Sequence, residues 1–226
     1  MVARAGHSDT PQAQAALEKL CQTYWYPLYA YVRRRGHSVE DAQDSTQEFF
    51  ARLLAGHWVS DADRTKGRFR TFLLTALNRF LANEWDHAHA RKRGGDFVAV
   101  PLDTDIAESR YSADTKAALD ADRLYDRQWA ITLLDRTLNR LEAEQQRLDK
   151  ADEFAVLSVA LTAERGDIPY AAMAAKLNQN EPAVRMAVHR LRKRFREVFR
   201  EEISQTVADP REVEAEIRHL LGALGA

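Results

Sequence analysis

Residues 168–199 constrain this chain most, because they read as two helices joined by a tight turn, the second heavily basic. Pro169 can open a helix, since its missing N–H falls where none is needed. Tyr170, Met173, Ala174 and Leu177 then recur at i, i+3, i+4, i+7 as one apolar stripe. Asn178-Gln179-Asn180 breaks that period, and Asn180 suits an N-cap with Pro182 in the following first turn. In the second helix Val184, Val188, Leu191 and Phe195 share a face, and Arg185, His189, Arg192 and Arg196 run one residue along. From Arg185 to Arg200 there are seven Lys or Arg against one Glu. A helix seated by an apolar face and cationic outside meets the needs of major-groove docking. The competing explanation is an ordinary solvated helix end, where cations also suit the dipole.

The rest of the composition favours helices throughout. Gly and Pro are sparse in 226 residues, at 9 and 6, and Ala, Leu, Arg and Glu dominate. The expected fold class is therefore all-α, and the length suits one or two domains, each able to bury a core. The formal net charge of −1 conceals segregation: residues 64–93 hold eight bases against two acids, and residues 94–126 eight acids against three bases. A near-neutral total thus leaves nucleic-acid binding open. Cys21 is the lone cysteine, which excludes an internal disulfide and a cysteine zinc site, and its apolar stripe marks it as a small core residue. No apolar run reaches membrane-spanning length and the N-terminus lacks a signal-peptide core. A soluble, intracellular chain without membrane contact is expected.

Four segments follow. Residues 1–95 form a first helical domain. Its first helix, about 12–35, carries Leu17, Leu20, Cys21, Tyr24, Leu28 and Val32 on one side; Pro27 should kink or divide it. Gly36 ends its basic last turn, and Ser38 can cap the next helix, Val39–Leu54. A third helix runs from about Phe69 to Arg91. Residues 96–121 are acidic and weakly periodic, and read as a linker. Residues 122–205 form a second domain: a long helix with Leu134, Leu138, Leu141 and Leu148, a shorter one near 152–163, then the helix-turn-helix. Residues 206–226 hold an amphipathic helix opened by Asp209-Pro210-Arg211-Glu212.

The first domain offers two partner surfaces. Glu40, Asp41, Asp44 and Glu48 line the anionic side of Val39–Leu54, opposite Ala42, Phe49, Phe50, Leu53 and Leu54. Such a face is often merely solvated. Arg64, Lys66, Arg68 and Arg70 stand beside Phe69, followed by Arg79, Asn83 and His87 on one helix side. Cations interleaved with aromatics suit single-stranded DNA, where phosphates follow the charges and a base stacks on a ring for about 1–3 kcal/mol. Phe72 and Phe80 read as core; Phe69, at the loop junction, is open between core and base platform.

Two of these segments carry a resemblance. Residues 40–50, Glu40-Asp41-Ala42-Gln43-Asp44-Ser45-Thr46-Gln47-Glu48-Phe49-Phe50, resemble the polymerase-binding helix of extracytoplasmic-function sigma factors of the sigma-70 family. Tyr170–Asn178 is similar, without a gap, to the first helix of that family's helix-turn-helix, and His189-Arg190 takes the place of a His-Arg pair in its recognition helix. The resemblance implies two domains, like sigma regions 2 and 4, joined by the acidic linker. It implies that Asp41, Asp44, Gln47 and Glu48 bind core RNA polymerase. Arg64, Lys66, Arg68, Phe69, Arg70, Asn78, Arg79, Asn83 and His87 would open and read the single-stranded −10 element, with the loop 63–69 accepting a flipped base. Arg185, Met186, His189, Arg190 and Lys193 would read duplex −35 DNA. Catalysis then belongs to the polymerase; the chain is not itself an enzyme and needs no cofactor.

Departures from the family pattern are Gln43 for an acid, Phe72 for tryptophan, Asn178 for the turn glycine, and Met186 and Ala187 for more polar residues. Asn178 is tolerable because Asn can adopt the left-handed conformation. The amphipathic helix 209–224 is expected to pack on the second domain, with a docking or autoinhibitory segment as the alternative. Thr46 and Thr65 lie on the implied polymerase and DNA surfaces, where a Ser/Thr kinase could add charge; an anti-sigma factor is the other regulator to consider. His87 and His89, two apart on a helix, point to different sides and make no metal site. Two other functions compete: a helix-turn-helix repressor or activator that is no polymerase subunit, and a degenerate sigma that only occupies partners.

Overall fold

A computed structural model describes residues 11–54, 67–88, 104–114, 119–164 and 166–225, with side chains for most of them. The described residues are almost wholly helical and contain no named strand. We label the helices α1 (Pro11–Arg34), α2 (Val39–Leu54), α3 (Phe69–Ala88), α4 (Thr104–Asp114), α5 (Ala121–Arg147), α6 (Ala151–Leu157), α7 (Val159–Thr162), α8 (Tyr170–Leu177), α9 (Glu181–Ser204) and α10 (Val213–Leu224), with a 3-10 turn at Pro210–Glu212. Two compact units result: residues 1–132 with 203–226, and residues 133–202. The division falls inside α5 and α9, some ten residues beyond the expected boundary at 121–122, because the first turns of α5 carry apolar residues that complete the first core.

In the first unit α1 runs undivided through Pro27. Gly36 stops the chain beyond it at φ +94°, a conformation a Cβ would oppose, and the Gly36 amide reaches the Arg33 carbonyl at 3.0 Å. Ser38 then caps α2: its Oγ accepts the Asp41 amide at 3.0 Å and donates to the Asp41 carboxylate at 2.9 Å. Leu28, Phe49, Phe50, Leu53, Leu73, Leu77 and Phe80 are buried, each contributing about 1.5–3 kcal/mol. Tyr24 stacks on Trp129 of α5, with centroids 4.0 Å apart and planes 11° from parallel. Cys21 lies on α1, but its side chain is outside the described residues.

Two expectations change here. Part of the acidic 96–121 segment is structured: Glu108 of α4 pairs with Arg33 of α1 at 2.7 Å and accepts the Tyr29 hydroxyl at 2.7 Å. Arg33 also lies over the Tyr111 ring and Arg110 over the Tyr26 ring. The periodicity of α4 is weak because its buried face is short, Ala107 and Tyr111, and these polar contacts do the rest of the seating. The helix at the end of the chain groups with the first unit and not, as expected, with the second. Its Val213 and Leu220 are buried, and Glu216 between them meets Arg68 and Arg70 at the start of α3. An apolar stripe names a face, but not the surface that will cover it.

In the second unit the core comprises Leu141, Phe154, Leu157, Ala160, Ile168, Met173, Ala174, Val184, Ala187, Val188 and Leu191. The segment expected as one helix at 152–163 breaks at Ser158 into α6 and α7. Leu148, expected on the apolar stripe of α5, is 62% exposed because the helix ends at Arg147. It rims a cleft shared with Lys150 and Arg190.

Candidate nucleic-acid interface

The helix-turn-helix forms by local signals. Asn178 adopts φ 50°, ψ 43°, the left-handed conformation that reverses the chain, and the following amide of Gln179 reaches the Ala174 carbonyl at 3.0 Å. Asn180 Oδ1 then accepts the Ala183 amide at 2.9 Å and starts α9. Val184, Ala187, Val188 and Leu191 turn into the core, which fixes the opposite face outward. That outward face holds Arg185, Met186, His189, Arg190 and Lys193, all exposed, with Met186 at 57%. Ala187 is buried and takes no part in the face.

Five of the seven cations of α9 divide by role. Arg192 turns inward, giving three hydrogen bonds of 2.6–2.9 Å to the carbonyls of Ala160 and Ala163. It thereby satisfies the last carbonyls of α7 and complements the negative end of that helix. Arg194 forks onto Glu144 at 2.8 and 2.9 Å. The hydrogen bonds from Arg194 hold the Glu144 carboxyl below its ordinary value, and Glu144 in turn raises the Arg194 guanidinium. Arg185 is poised: its guanidinium carbon sits 4.1 Å from the Tyr170 ring centroid, and Glu181 approaches at 3.3 Å. Lys193 has Glu197 at 4.0 Å, a loose surface pair. Arg185, Arg190 and Lys193 remain on the solvent side, a cationic strip on a rigid helix.

On the first unit the implied −10 residues fare differently. Phe69 is core: its ring makes an edge contact with Tyr24 and packs on Phe72 and Trp129, with centroids about 6.1 Å apart. It is enclosed on these sides and is not a base platform. Arg70 is 8% exposed, pairing with Glu216 at 2.7 Å and Asp126 at 2.5 Å, while Arg68 pairs with Glu216 at 3.0 Å. Asn78 accepts from Arg35 Nη1 at 2.7 Å and from the Tyr31 hydroxyl at 3.0 Å. Arg79 and Asn83 are exposed one turn apart on α3. Arg64, Lys66 and Thr65 lie outside the described residues, as does the side chain of His87. α3 therefore presents Arg79 and Asn83 outward, and keeps Phe69 and Arg70 inside.

The acidic helix sorts similarly. Asp41 and Asp44 of α2 are exposed, joined by Glu40. Gln47 and Glu48 are half-buried, and Glu48 pairs with Arg52, whose guanidinium lies 5.1 Å over the Phe80 ring. Thr46 is completely buried, so its hydroxyl is not on the surface expected for it.

Glu216 and Asp126 belong to none of the sites the sequence predicts. One signal existed for Glu216, which falls at i+3 from Val213 and i−4 from Leu220, inside an apolar stripe. A carboxylate there must find cations. Among the described residues no group of three or more His, Cys, Asp or Glu could hold a metal ion, and no helix is long and apolar enough to cross a membrane. No protein-family model, curated protein or solved structure matches the chain.

Proposed function

We propose that this chain is a sigma factor of the extracytoplasmic-function type: it binds core RNA polymerase in the cytoplasm and directs it to a limited set of promoters. The observation that carries the reading is the outward strip of α9. Arg185, Met186, His189, Arg190 and Lys193 stand on one face because Val184, Ala187, Val188 and Leu191 are pulled into the core on the other. A rigid helix with base-capable side chains at this pitch suits duplex −35 DNA. The exposed Asp41 and Asp44 supply a second, anionic surface that duplex DNA would repel, which favours a protein partner and suits core polymerase. In this reading the first unit takes the −10 strand through Arg79, Asn83 and the basic edge 64–70, where Arg68 and Arg70 become available when Glu216 gives them up. The second unit anchors upstream.

Charge reversal tests the polymerase surface. Asp41→Lys with Asp44→Lys should abolish binding of core polymerase while native helix content is retained, the lost Ser38–Asp41 contact and the reversed charge at the start of α2 costing a modest drop in thermal midpoint. Unchanged core affinity in that double variant rules out α2 as the contact.

A further inference from the structure

The cations at the N-terminal edge of α3 are already holding an anion. Glu216 is 1% exposed; its Oε1 accepts Arg70 Nε at 2.7 Å and its Oε2 meets Arg68 Nε at 3.0 Å. Asp126 takes the Arg70 Nη1 at 2.5 Å and His219 Nε2 at 2.7 Å, linking the same cluster to the next turn of α10. The backbone is engaged as well. The Phe69 amide donates to the Thr206 carbonyl at 2.8 Å and the Ala208 amide to the Gly67 carbonyl at 3.2 Å, framing an antiparallel bridge between Arg68 and Val207. Segment 206–220 thus engages the backbone at residues 67–69, buries the Arg70 guanidinium and pairs with that of Arg68, which stays partly exposed.

We infer that residues 206–220 are an intramolecular competitor for single-stranded nucleic acid, with the Glu216 carboxylate in the place of a phosphate on Arg68 and Arg70. The inference rests on the reading of this edge as a DNA-contacting one. The exchange is balanced in charge: a guanidinium donates to a carboxylate or a phosphate oxygen alike, so DNA can replace Glu216 without leaving either arginine unpaired. The segment is also suited to release. Its apolar anchors are few, Val213 and Leu220 with Ile203 at its root, and Leu221 points into solvent at 51% exposure.

A reversible lock tests this in the full chain. Arg68 and Val207 face each other at a non-hydrogen-bonded antiparallel pair, where Cα atoms come within about 4.5 Å and a disulfide can form. In a Cys21→Ser background, Arg68→Cys with Val207→Cys is compared oxidised and reduced, using a mixed-sequence single-stranded DNA 20-mer as the probe. The reduced form, which lacks Arg68 but keeps Arg70, should bind at least about tenfold more tightly than its own oxidised form, as freeing Arg70 for one charge-assisted contact requires. Glu216→Gln, in the otherwise native chain, should also tighten binding, and added DNA should speed amide exchange at Phe69 and Ala208. Equal binding by the oxidised and reduced forms overturns the competitor role while leaving the edge a DNA-binding one. Binding by none of the chains, native and Glu216→Gln included, overturns the competitor role together with the reading on which it rests.

Discussion

The guanidinium of Arg185 rests 4.1 Å from the centre of the Tyr170 ring, so the first residue of α8 orients a cation on the outward face of α9. Such a contact is worth about 0.5–2 kcal/mol and narrows the arginine's rotamers before DNA arrives. Tyr170→Leu keeps apolar bulk and removes the π face. Duplex promoter affinity should fall by about threefold to thirtyfold, whereas Tyr170→Phe should retain it. Equal affinities for the two variants, measured by fluorescence anisotropy, would remove the positioning role.

Arg190 and Arg192 are two residues apart and should behave as opposites. Arg192 gives its hydrogen bonds to the Ala160 and Ala163 carbonyls, so Arg192→Met should lower the thermal midpoint. It should leave the salt dependence of DNA binding unaltered. Arg190 is exposed on the outward strip, and Arg190→Ala should reduce the slope of log affinity against log salt by about 0.9 if it meets a phosphate. If it reads a base edge, affinity falls while the slope holds. Loss of stability in Arg190→Ala, with DNA binding intact, would contradict this division.

What the sequence made legible was local. Asn178 in the left-handed turn, Asn180 capping α9 and Ser38 capping α2 each act within four residues, and each was readable from residue type and spacing. The outward face of α9 followed from the apolar stripe beside it. What stayed hidden was pairing across the chain. Arg70 and Glu216 are 146 residues apart, and nothing in a basic cluster announces that one of its members is buried against a distant carboxylate. Phe69 could be core or platform until Tyr24 and Trp129 were seen to enclose it. Arg192 looked like its neighbours because the α7 carbonyls that claim it have no sequence signature.

Glu108 predicts a pH dependence. Its hydrogen bond to Arg33, reinforced by Tyr29 and opposed by burial, lowers its carboxyl from the ordinary 4.5. A group depressed on folding stabilises the folded state above its unfolded value, and that contribution disappears as pH falls through the lower, folded value. Glu108→Gln should therefore be less stable than the native chain at neutral pH. The difference should be constant down to about pH 5 and shrink below 4.5. Denaturant titrations of both chains across that range decide the point; a difference that grows in acid would contradict the role given to Glu108.

Initiation itself is the most direct test. Purified chain is added to core RNA polymerase on fragmented genomic DNA, and the 5′ ends of the run-off transcripts are sequenced. The account predicts a limited set of start sites, absent with core alone, that share upstream elements at −35 and −10 and disappear with the Asp41→Lys, Asp44→Lys variant. A transcript profile identical to that of core polymerase alone would contradict it.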